Sequence, residues 1–147
     1  MWKLSFVDST LFQYNFSFTE GNEVVHVVSE ISACRAEFVQ GDEWKLYLVG
    51  DAGEYFTATL RQNQLGEMKV EFHTQVPLVI DGSTIDSEGV ELDSESNSVL
   101  ISSERPLGLF WRNATTGEAL PGSTNYTIPE DIASRFQPNL GLESVTA

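Results

Sequence analysis

The chain has 147 residues, 41% of them hydrophobic, with nine Phe, four Tyr and three Trp. That is enough for one ordinary core and excludes global disorder, which needs low hydrophobicity together with high charge. A formal charge of −14, from 22 acidic and 8 basic residues, argues against unaided binding to nucleic acid or to an anionic lipid surface.

The opening MWKLSFVDSTLFQYNF carries one Lys and no apolar run. No secretory leader is expected from it, and no window approaches the roughly 20 apolar residues of a spanning helix. A single cysteine, Cys34, cannot form an internal disulfide. Together these point to a cytoplasmic protein in a reducing compartment.

From residue 11 onward, runs of β-branched and aromatic residues alternate with turn signals. The runs span residues 11–18, 24–31, 34–39, 44–49, 55–61 and 67–74. Their turns recur about every 10 residues, the rhythm of an antiparallel meander. Met68, Val70 and Phe72 alternate with Lys69, Glu71 and His73, which predicts one dry and one wet face. Phe56, Ala58 and Leu60 alternate likewise with Thr57, Thr59 and Arg61. The run VVHVV is apolar on both faces and reads as a central or doubly covered strand.

Leu78, Val79 and Ile80 follow Pro77, which confines them to an edge or a strand start. Residues 81–97 are acidic and Ser-rich and read as a surface loop or a polar hairpin. Strands are expected over residues 99–102 and 107–112, with a break at Pro106. Thr127, two residues before Pro129 and three before Glu130, matches a capping box. It predicts a short C-terminal helix ending near Arg135 or Phe136.

The expected fold is all-β: a single antiparallel β-sandwich or β-barrel, in meander order, of about eight to ten strands with one short C-terminal helix. The expected organisation is one β domain over residues 1–136 and a tail over 137–147.

Motifs for chemistry are sparse. The sequence holds no GxSxG elbow and no Gly-rich phosphate cradle, so no catalytic set is assigned. His26 lies within VVHVV. It is a candidate binding residue or general base, and its plainer reading is a His satisfied within a strand. His73 falls on a wet face. Cys34 should share the face of Ala36 and Phe38 and act as a small core residue.

Residues 81–98 form the richest oxygen cluster, and Asp86, Glu88 and Asp93 are its candidate cation ligands. The spacing fails the EF-hand pattern, so no cofactor is expected beyond a cation such as calcium. Trp111 and Arg112 are candidate binding residues, because Trp and Arg anchor interfaces and an exposed Trp can stack on a sugar. The plainer reading of Trp111 is a core aromatic.

These features favour a non-enzymatic binding or assembly protein, with a protein partner or a second copy of itself, and no direct contact with nucleic acid or membrane. Three other readings stay open. One is a lipocalin-like carrier of a small apolar ligand. Another is an acidic inhibitor that mimics DNA. The last is an enzyme of unknown class using His26.

Overall fold

The computed structural model describes residues 16–20, 23–28, 30–66, 68–123 and 125–135, the first two segments as backbone. The 137–147 tail lies outside them. The fold is an all-β sandwich and not a closed barrel.

A two-stranded hairpin, β1 (Phe16–Glu20) and β2 (Glu23–Val28), comes first. Next is a four-stranded meander: β3 (Ile31–Gln40), β4 (Glu43–Gly50), β5 (Glu54–Gln62) and β6 (Met68–Pro77). A small hairpin, β7 (Val79–Ile80) and β8 (Ser83–Thr84), leads to a second meander. That one runs through β9 (Asp86–Asp93), β10 (Ser98–Arg105), β11 (Leu107–Asn113) and β12 (Tyr126–Thr127). The strand count exceeds the expectation because β7, β8 and β12 are two-residue pairings.

The two meanders close face to face on one core. Tyr47, Val49 and Tyr55 of the first sheet meet Val90, Val99, Ile101 and Phe110 of the second, with Leu78 and Ile85 from the connection. All are buried, Tyr55 and Leu78 to 0% exposure. Strand β9 lies against β3 and β4. Tyr55 Oη donates to the Ala114 carbonyl at 2.7 Å and ties the first sheet to the loop after β11.

The first sheet has a second apolar face. Leu46, Leu48, Phe56 and Ala58 are buried there, with Leu60, Val70 and Phe72 packed against them. Phe56 and Phe72 meet edge to face at 6.2 Å. The alternations expected for β5 and β6 appear on this face, except that Met68, expected dry, is 52% exposed. The opposite side of β5 is drier than its polar residues suggested, because Tyr55 lies in the core between the sheets and Thr57 is buried beside it in sequence.

Three expectations are corrected. Residues 86–93 form a full strand paired with β10 and set against the first sheet, neither a surface loop nor a polar hairpin closed within residues 81–97. Thr127 does not cap a helix: it pairs with Gly108 in β12. The helix α1 (Glu130–Ala133) instead begins after Pro129, without a side-chain cap. Cys34 is exposed, because β3 is the edge of its sheet and its outer row has a neighbour on one side only.

Candidate functional site

Ser87 sets the geometry of one end of β9. Its buried Oγ donates to the Gly50 carbonyl at 2.7 Å, fixing β9 to the end of β4. The ladder to β10 slips beside it, with Ser102 opposite Gly89 and Ser103 opposite Ser87, so that Glu88 has no direct opposite. Asp86 and Glu88 flank the inward Ser87 and emerge on the other side. The turn after β4 supplies the third group. Gly53, at φ +76°, packs so tightly on Ile85 that a Cβ there would collide with the Ile85 backbone. The result is a trio: Asp51, Asp86 and Glu88 bring carboxylate oxygens within 4.8 Å of one another.

Two contacts orient it. Asp51 Oδ1 accepts from Ser32 Oγ at 2.5 Å. Asp86 Oδ2 accepts from Arg105 Nε at 2.8 Å and Nη2 at 2.5 Å. The carboxylate in turn raises the Arg105 guanidinium above its ordinary pKa. Asp51 is exposed, whereas Asp86 and Glu88 are half-buried. An all-oxygen, acidic donor set of this kind suits a hard cation such as calcium.

Asp93 stands apart from the trio. It is seven residues beyond Asp86, about 23 Å along an extended strand. There it closes the β9–β10 turn, taking Ser96 Oγ at 2.7 Å and the Glu95 amide at 3.1 Å. These bonds hold its carboxyl below the ordinary range, the Ser96 hydroxyl contributing most. Reading 81–98 as a loop allowed Asp93 to curl back toward Asp86, whereas a strand keeps them apart. Asp51 was missed because Gly50, Asp51, Ala52 and Gly53 read simply as a turn.

Trp111 and Arg112 are separated by strand alternation. Trp111 is half-buried on the outer face of the second sheet. Arg112 is 4% exposed; its Nη1 donates to the Trp111 carbonyl at 2.9 Å, and desolvation lowers its pKa. It is therefore not an exposed anchor. Trp111, Tyr126, Asp93, Ser96, Ser98 and Ser123 line a groove of about 270 Å³.

His26 sits in β2 opposite Phe18; its side chain lies outside the described residues. His73 is exposed, as expected, with Nε2 2.6 Å from Thr59 Oγ1. Although Cys34 is exposed as a residue, partial desolvation of its sulfur pushes the thiol up rather than down, the opposite of an activated nucleophile. No helix among the described residues is long and apolar enough to cross a membrane.

A family model for phytase-like proteins, described as esterase-like activity of phytase, matches residues 27–147. The match covers the end of β2 and both four-stranded meanders. No curated protein and no solved structure matches the chain.

Proposed function

The chain belongs to the phytase-like family, described by esterase-like activity, and on that premise we propose that it handles phosphate esters through a divalent cation held by Asp51, Asp86 and Glu88. The convergence of these three carboxylates from β9 and the turn after β4 carries the reading. Electrostatics explains why a cation is needed. A protein of charge −14 repels a phosphate ester, and a trio of carboxylates repels it further. A bound divalent cation would offset most of the trio's negative charge and present a positive point to the ester. Held there, it would also supply Lewis-acid polarisation of a phosphoryl oxygen.

The protein's own groups then have defined tasks. Asp51, Asp86 and Glu88 are the ligands, calcium being the best match to oxygen donors on a strand and a turn. Arg105 and Ser32 are positioning residues, fixing which lone pairs of Asp86 and Asp51 remain for the ion. Ser87 holds β9 against β4 and keeps the trio assembled.

Calorimetric titration with calcium, together with hydrolysis of p-nitrophenyl phosphate and p-nitrophenyl acetate with and without chelator, tests this. We expect saturable calcium binding, a raised Tm, and phosphate-ester hydrolysis lost on chelation. The triple variant Asp51→Asn, Asp86→Asn, Glu88→Gln should lose all three. Absence of binding, or hydrolysis insensitive to chelator, overturns the reading.

A second reading is assembly, with another copy of the chain as partner. Its support is the outer face of the first sheet, where Phe38, Trp44 and Met68 are exposed at the rim of a buried apolar cluster. Phe38 and Trp44 stack edge to face at 5.1 Å. The cluster itself is buried within the chain, so the surface open to a second copy is the rim formed by Phe38, Trp44 and Met68. Native mass spectrometry decides it: a dimer reduced to monomer by Phe38→Ser with Trp44→Ser supports this reading, and a monomeric parent rejects it.

A further inference from the structure

At the end of β9 opposite the carboxylate trio, we propose that the groove beneath Trp111 and Tyr126 binds a neutral pyranose ring. The site depends neither on the cation nor on ester chemistry.

The pairing of the second sheet builds it. Leu109 lies opposite Tyr126, so Tyr126 is the diagonal neighbour of Trp111 on the same face. Diagonal cross-strand neighbours stand about 7–8 Å apart, within reach of one ligand spanning both rings. Trp111 is half-buried and Tyr126 is 54% exposed. One ring is thus held by packing while the other is open to solvent.

Polar groups border this aromatic pair. Ser98 is 2% exposed, and its Oγ lies 2.6 Å from Ser96 Oγ. Ser96 Oγ is also 2.7 Å from Asp93 Oδ2. Ser123 lines the groove with its Oγ donating to the Leu120 carbonyl at 2.8 Å. The groove therefore combines two π faces, an ionised acceptor and hydroxyls that can donate or accept.

A pyranose ring has the complementary form. Its C–H face is apolar and stacks on aromatic rings, while its hydroxyl rim both donates and accepts. Other ligand classes fit less well. An anion would meet Asp93, which its hydrogen bonds keep ionised, within a strongly negative protein. An aliphatic ligand would strip water from the Asp93 carboxylate and offer no hydrogen bond in return. A groove of about 270 Å³ has room for one ring. So small a ligand in so open a groove should bind in the millimolar range.

The test follows the tryptophan indole N–H signals of the ¹⁵N-labelled full chain while glucose, galactose or sorbitol is added. Trp111→Phe identifies the Trp111 signal by its disappearance and checks that the fold persists. We expect both cyclic sugars to shift the Trp111 signal saturably and to leave Trp44 unmoved. Sorbitol, an open chain with no stacking face, should leave Trp111 unmoved. Trp111→Ala should weaken binding roughly tenfold, followed through other groove signals, and Trp111→Phe by less. Ser98→Ala and Asp93→Asn should each weaken it as well. An unmoved Trp111 signal, an equal response to sorbitol, or undiminished binding by Trp111→Ala overturns the proposal. So does a response to peptides alone.

Discussion

Gly53 shows how one position shapes the candidate site. Its φ of +76° is costly for any other residue, and an added Cβ would strike the Ile85 backbone. Gly53→Ala should cost roughly 1–3 kcal/mol in urea denaturation and weaken calcium binding, because the turn carries Asp51. A neutral loss of stability with unchanged calcium affinity would separate turn from site. Tyr55 makes a different contribution. Tyr55→Phe should cost about 1–3 kcal/mol, since it leaves the Ala114 carbonyl without the donor it has at 2.7 Å.

Asp93 provides a pH test. Its folded pKa is depressed by Ser96 and the turn amides. A depressed carboxyl stabilises the fold above its unfolded pKa, and the stabilisation is lost as pH falls through the folded value. Asp93→Asn should therefore be less stable than the parent near neutral pH. The gap should narrow as pH falls below the ordinary aspartate range, as urea denaturation across a pH series would show.

At the scale of elements, alternation was the dependable signal. Val70 and Phe72 on β6 and Phe56, Ala58 and Leu60 on β5 fall on the face that their period-2 spacing predicts. Strand β9 was illegible for a physical reason. DSEGVELD is rich in residues of low β propensity, and what makes it a strand is pairing with β10 and contact with β3 and β4. The candidate site shared that fate. Asp86 and Glu88 were visible as oxygen donors, but Asp51 joins them through tertiary contacts such as the Ser87 to Gly50 bond and the packing of Gly53 on Ile85, which no local pattern encodes. The helix was misplaced because Thr127 satisfies its backbone in β12 instead of at a cap. Ser87→Ala tests the role of β9 anchoring. It should cost about 1–3 kcal/mol and reduce calcium affinity although Ser87 is no ligand.

At the scale of the whole molecule, charge and packing pull in opposite directions. The core between the meanders favours the compact state, while −14 charges repel one another within it. Added monovalent salt should raise Tm by screening that repulsion. Micromolar to millimolar calcium should raise it further at constant ionic strength, and that increment should vanish in the triple carboxylate variant. Thermal scans across salt and calcium series separate general screening from specific binding.

The hydrogen bond from Tyr55 to Ala114 joins positions 59 residues apart. During synthesis at about 5–20 residues per second, the first meander would wait some 3–12 s for that partner to be made. Until Val90, Val99, Ile101 and Phe110 are also made, Tyr47, Val49 and Tyr55, buried in the finished protein, lack most of the second sheet that encloses them. That transiently open apolar face is aggregation-prone, so slower synthesis should lower the soluble yield.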